Sequence, residues 1–122
     1  MGWKFEAGTP LTVQIASRLR HDILAGIYPL GGDFPTVRQL AAEASVNPNT
    51  IQKALTVLED EGLIVTLGTS GRTVTTDSRV IGLAREKESC RFAEGVIKEA
   101  RLLGFDEEGL IEIIRRTWNN EQ

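Results

Sequence analysis

Residues 35–65 read PTVRQLAAEASVNPNTIQKALTVLEDEGLIV, and they hold two helix starts about a dozen residues apart. Thr36, Val37, Arg38 and Gln39 fit a capping box. In that motif a Thr side chain caps the first free amides, and a Gln three residues on reaches back to the Thr amide. Val37, Leu40, Ala41 and Ala44 then recur at the spacing of one helix face, which predicts a short helix ending near Ser45. Asn47-Pro48 repeats the start after a tight turn. Asn caps, and Pro suits the first helical position because its missing N–H would go unpaired there anyway. Ile51, Ala54, Leu55 and Leu58 form the buried face of this second helix, and Gly62 stops it. Residues 48–61 therefore make a helix about 20 Å long.

Upstream, Thr9-Pro10 reads as the cap and first residue of another helix, with Leu11, Ile15, Leu19 and Ile23 as its buried stripe and Gly26 as its stop. Tyr28 to Asp33 is a turn-rich connector. Downstream, Leu63–Leu67 and Arg72–Thr76 are strand-like, and Gly68-Thr69-Ser70-Gly71 supplies turn chemistry between them, so a β-hairpin is expected. Ser78 to Leu103 reads as a long helix with Ala93, Val96, Ile97, Ala100 and Leu103 along one side. Gly104 breaks it. Asp106 caps a last helix with Glu107 and Glu108 in its first turn, where acids suit the helix dipole. Its apolar face is Leu110, Ile111, Ile114 and Trp118, and Asn119 to Gln122 are expected to fray. The predicted fold is mostly α with a small β-hairpin. It is a winged helix-turn-helix over residues 1–76, followed by two C-terminal helices over residues 77–122.

Composition narrows the function. The 122 residues are 41% hydrophobic, enough for a packed core, and no apolar run nears the roughly 18 residues that span a bilayer. The N-terminus lacks the basic-then-apolar pattern of a signal peptide, so a soluble, cytoplasmic protein is expected. One cysteine, Cys90, permits no internal disulfide, and one Cys with one His, His21, cannot build the usual zinc sites, so no metal or cofactor is expected. Cys90 is expected to be a small buried residue. No nucleophile elbow or metal cluster points to an enzyme.

Helix, helix, tight turn, helix, hairpin is an order that places the third helix in the major groove of double-stranded DNA. Its outer N-terminal face offers Asn47, Asn49, Thr50, Gln52 and Lys53. Asn and Gln amides pair with adenine, Lys donates to guanine, and Thr meets a phosphate or a thymine methyl. Arg38, in the first turn of the preceding helix beside the Thr36 cap, is placed for a phosphate contact, and Arg72 after the wing turn for a phosphate or narrow minor groove. The charge is a counterweight. Net −3 is not the basic signature of a nucleic-acid binder. The first 76 residues hold six Lys/Arg against seven Asp/Glu, and the rest eight against ten. Binding must depend on where the few cations sit.

The sequence resembles the GntR-type regulators, and within them the short YtrA-like subfamily. The resemblance runs through Trp3-x-Phe5, Pro10-Leu11, Ile23-Leu24-Ala25-Gly26, Pro35-Thr36-Val37-Arg38-Gln39-Leu40-Ala41 and Val46 to Ala54, then Leu58-Glu59-x-x-Gly62-Leu63-Ile64. It implies that Arg38 binds phosphate, that Asn47, Asn49 and Thr50 line the groove, and that Gly71 and Arg72 form the wing tip. It also implies a homodimer on an inverted-repeat operator, commonly repressing a transporter operon. Ser45 stands where Gly is usual, at a cost of about 1 kcal/mol if left-handed. Pro48 and Gln52 stand where some relatives outside the subfamily carry arginines, Phe34 and Gly31-Gly32 vary the linker, and the wing is poor in cations, which predicts a shallower salt dependence.

The two C-terminal helices have more apolar surface than a small head needs, and a homodimer through them is expected; the alternative is that they fold back on the head as a monomer. Trp3 and Phe5 pack near the first helix or at a dimer seam. A second functional reading, a winged-helix module that binds another protein without DNA, is favoured by the acidic balance. No small-molecule effector is legible.

Overall fold

The computed structural model describes residues 2–69 and 71–121. Ser70, in the middle of the expected wing turn, and Gln122, at the expected frayed end, lie outside them. The described chain runs α1 (Leu11–Leu24), α2 (Val37–Ala44), α3 (Pro48–Asp60), β1 (Ile64–Thr66), β2 (Arg72–Val74), α4 (Ser78–Leu102) and α5 (Glu107–Asn120). This is a winged helix-turn-helix followed by two further helices. It divides into two compact units, Met1–Ala84 and Arg85–Gln122.

In the first unit the predicted faces form one core. Ile15, Leu19 and Ile23 from α1 meet Leu40, Ala41 and Ala44 from α2, and Leu11 is half-buried at the edge. Ile51, Ala54, Leu55 and Leu58 of α3 are wholly buried, and the three large side chains among them contribute about 6 kcal/mol of transfer free energy. That burial fixes the rotation of α3 about its axis, and so fixes which residues it turns to solvent. Phe34 also enters the core and meets the Tyr28 ring at 4.9 Å. Val80, Ile81 and Ala84 of α4 pack against the same core, which is why the unit extends beyond residue 76.

Several local expectations change. Thr9 does not cap α1; Pro10 precedes the helix with no side-chain cap, and the Thr9 carbonyl accepts from Gln14 Nε2 at 2.9 Å. Gly26 (φ +80°) does close α1, its N–H reaching the Ile23 carbonyl while Ile27 N–H reaches Asp22. The connector after α1 is more than a turn. Phe34 N–H donates to Arg72 O at 2.8 Å, and Gly31 and Gly32 exchange bonds with Val74, so the linker lies along β2. The hairpin strands are shorter than predicted, three residues each, in the antiparallel register Ile64↔Val74, Val65↔Thr73, Thr66↔Arg72. Trp3 and Phe5 pack on the head core, where the Arg18 guanidinium lies 4.0 Å from the Trp3 ring centroid, a cation–π contact.

In the second unit α4 ends at the left-handed Gly104 (φ +84°), where Phe105 N–H returns to the Ala100 carbonyl at 2.9 Å. Asp106 Oδ1 accepts from Gly109 N–H at 2.8 Å and starts α5. This helix continues through Asn119 and Asn120, so those two residues are ordered into it and not frayed. Cys90 is exposed on α4, not buried. Among the described residues no helix is long and apolar enough to cross a membrane.

Candidate nucleic-acid interface

The interface begins at two capped helix starts. Thr36 Oγ1 accepts from Gln39 N–H at 3.1 Å, and Gln39 Oε1 accepts from Thr36 N–H at 2.9 Å, the reciprocal box. Arg38, one residue into α2, is exposed and makes no hydrogen bond or ion pair within the described residues. The turn between α2 and α3 passes through Ser45 in the left-handed conformation (φ 57°, ψ 49°), where Gly would relieve a steric cost of about 1 kcal/mol. Asn47 Oδ1 then accepts from Asn49 N–H at 2.8 Å, so the Asn47 oxygen serves as a cap.

With Ile51, Ala54, Leu55 and Leu58 inside, the outer side of α3 carries Asn49, Gln52 and Lys53, all exposed, and Thr50, which is half-buried. Asn49, Gln52 and Lys53 lie three and four positions apart, on one face. The Asn49 and Lys53 side chains are uncommitted among the described residues. Gln52 is engaged: its Oε1 accepts from Arg72 Nη2 at 3.4 Å.

Arg72 is not the free wing-tip cation that the sequence suggests. Its Nε donates to Glu59 Oε1 on α3 at 3.2 Å, and its side chain is only 19% exposed. Glu59 Oε2 accepts from the Thr66 hydroxyl on β1 at 2.6 Å. The Thr66 hydrogen bond, opposed by partial burial and reinforced by Arg72, holds the Glu59 carboxyl below the usual glutamate range. Neither Glu59 nor Thr66 has a role in the site legible from sequence, where Glu59 stands only in the stretch Leu58-Glu59-x-x-Gly62 and Thr66 only in a strand-like run. The Thr66↔Arg72 register is what brings both strands to one carboxylate. Arg20 of α1 pairs with Glu61 through two bonds of 2.8 and 2.6 Å, a clasp between helices that was also missed. Gly71 (φ +95°) ends the turn, and its carbonyl accepts from Leu67 N–H at 2.8 Å.

The family model described as "Bacterial regulatory proteins, gntR family" matches residues 11–74, the whole span from α1 to β2. The chain belongs to the GntR family. It is 37% identical over 73 residues to the HTH-type transcriptional repressor YtrA of Bacillus subtilis (strain 168), covering 60% of this chain and 56% of YtrA. A GntR family transcriptional regulator from Listeria monocytogenes has the same fold with TM-score 0.83 and 31% identity, covering 92% of this chain and 98% of that one. The DNA-binding domain of AraR, solved in complex with operator ORX1, matches with TM-score 0.54 and 25% identity over 62% of this chain and 90% of its own. These likenesses support the YtrA-like subfamily. A GntR member is a DNA-binding transcription regulator and not an enzyme.

In the second unit of this GntR chain the predicted apolar residues stand largely in solvent. Val96, Ile97, Leu103, Ile111, Ile114 and Trp118 are exposed, as is Ala93; Leu110 is half-buried and Ala100 is buried. Between α4 and α5 lies an open cleft of about 410 Å³, lined by Phe92, Val96, Ile97, Leu110, Ile111 and Ile114 among others. Phe92 (64% exposed) and Phe105 (40%) extend this apolar surface and were not singled out from sequence.

Proposed function

We propose that the chain is a cytoplasmic repressor that binds an inverted-repeat operator as a homodimer. Arg38 and the Thr36 hydroxyl contact phosphate, while Asn49, Gln52 and Lys53 face base edges, with Asn47 and Thr50 at the mouth of the groove and Gly71-Arg72 beside it. The observation that carries this reading is the α3 surface: its inner side chains are fully buried, while its outer Asn49 and Lys53, like Arg38 on α2, are solvent-facing and uncommitted among the described residues. The homodimer reading is supported by the apolar surface of α4 and α5, since a monomer exposing Phe92, Leu102, Leu103 and Trp118 together would be prone to association. On this reading Ala93, Val96, Ile97, Ala100, Leu103, Leu110, Ile111, Ile114 and Trp118 serve dimerisation. A two-fold dimer of this kind matches a palindromic site. Control of a transporter operon is carried over from the subfamily resemblance.

A gel shift with the DNA upstream of the chain's own gene tests the reading. Retention at low salt that exceeds retention of a scrambled duplex is expected. The acid balance and the tied Arg72 favour one other reading, a module that binds protein. Absence of any shift at low salt would select that reading.

A further inference from the structure

We infer that Glu59 is a positioning residue for base readout. It withdraws Arg72 from phosphate binding and sets it against Gln52, so that α3 presents the Gln52 amide with its NH2 group outward. This inference rests on the DNA-binding reading above.

The argument begins with charge. Arg72 is one of six cations in the first 76 residues, and its Nε is neutralised by Glu59 Oε1 at 3.2 Å. Glu59 is itself fixed from the other strand by Thr66 at 2.6 Å. Three elements, α3, β1 and β2, thus converge on one carboxylate. A cation so paired releases few counterions on meeting DNA. Its planar fork still has donors to spare, and Nη2 turns one of them to Gln52 Oε1 at 3.4 Å.

That contact also fixes which end of the amide faces out. Arg can only donate, so the Gln52 atom beside it must be the oxygen, and the NH2 group is left for the groove. The outward group offers two donors, while the acceptor needed for the N6 amino of adenine is partly occupied. Guanine presents two acceptors, O6 and N7, in the major groove. Gln52 in this setting therefore favours guanine at its position, where an unconstrained Gln favours adenine.

Binding-site selection from a random duplex pool tests this, using the full chain and its Gln52→Ala, Glu59→Gln and Arg72→Lys variants. The wild type is expected to enrich a sequence with guanine at the base pair where Gln52→Ala relaxes preference. Glu59→Gln and Arg72→Lys are expected to relax preference at that same pair, each by about tenfold. Glu59→Gln also frees Arg72, so its binding to scrambled duplex should gain about one unit of salt slope per protomer. Mere loss of stability lowers the active fraction without moving preference at one base pair. Should Glu59→Gln fail to fold, Thr66→Val removes only the hydroxyl that anchors Glu59, and relaxation at the same pair is again expected. Unchanged preference in Glu59→Gln, or in its Thr66→Val substitute, would overturn the inference, as would adenine at the Gln52 position. If the wild type enriches no sequence, the DNA-binding reading falls and takes this inference with it. Enrichment with unaltered variants overturns this inference alone.

Discussion

Replacing Ile114 by Ala probes the proposed dimer without disturbing the head. Ile114 lines the α4–α5 cleft and is 46% exposed in the protomer. Full burial of an Ile side chain is worth about 2 kcal/mol, so the part left in water holds about 1 kcal/mol per copy. A two-fold interface counts each residue twice, giving about 2 kcal/mol, or about a 30-fold rise in the dimer dissociation constant. Ala keeps one methyl group, so this figure is an upper value. The assay is sedimentation equilibrium across a hundredfold range of protein concentration. Arg116→Ala is the control: Arg116 lies two residues on, on the other side of α5, and among the described residues it pairs only with Glu112, at 3.6 Å. An exposed pair of that kind is worth about 0.3–0.5 kcal/mol to the helix. Dimer dissociation should shift for Ile114→Ala and stay put for Arg116→Ala. Equal behaviour of the two variants, or a wild type that is monomeric throughout, would refute the assignment of this face.

Other outcomes follow from the head. Arg38→Ala should weaken operator and scrambled duplex alike and lower the salt slope by about one unit per protomer, read from titrations at several salt concentrations. Thr36→Ala removes one half of the capping box and should cost about 1 kcal/mol, a fall of about 4–8 °C in the thermal midpoint of a unit this size, seen by circular dichroism. The Glu59 carboxyl lies below its ordinary value of 4.5 in the folded chain. Its contribution to stability is therefore fully present above that value and is lost as pH falls through the depressed one. Glu59→Gln should then be less stable than wild type at pH 7, with the gap closing in denaturant titrations at strongly acid pH; a gap independent of pH would contradict the network.

The α-helical frame was legible because its signals are local. The Thr36–Gln39 box, the Asn47-Pro48 start and the four-residue core face of α3 each depend on residues within a turn or two of one another. What stayed hidden depends on partners far apart in sequence. Glu59 meets Arg72 thirteen residues on, and Arg20 meets Glu61 forty-one residues on, through a register and a helix crossing that no local pattern encodes. For the same reason Gln52 and Arg72 read as free groups in sequence and are engaged in the structure, whereas Arg38, Asn49 and Lys53 keep the exposure expected of them. Thr before Pro is a good cap in isolation, but here the helix starts one residue later, with Pro10 at the N-cap and the Thr9 carbonyl held by Gln14 Nε2. Residue type alone favours a buried Cys90, but it sits on a stretch of α4 that is exposed from Cys90 to Glu99.

The most direct measurement is a hydroxyl-radical footprint on the duplex that the full chain selects from a random pool. Two protected tracts related by a dyad are expected, their centres one helical turn of about 34 Å or a whole multiple apart, and both should fade together when Asn49 and Lys53 are replaced by Ala. A single tract, protection spread evenly along the duplex, or a footprint indifferent to those two replacements would contradict the reading of α3 as the surface that meets DNA.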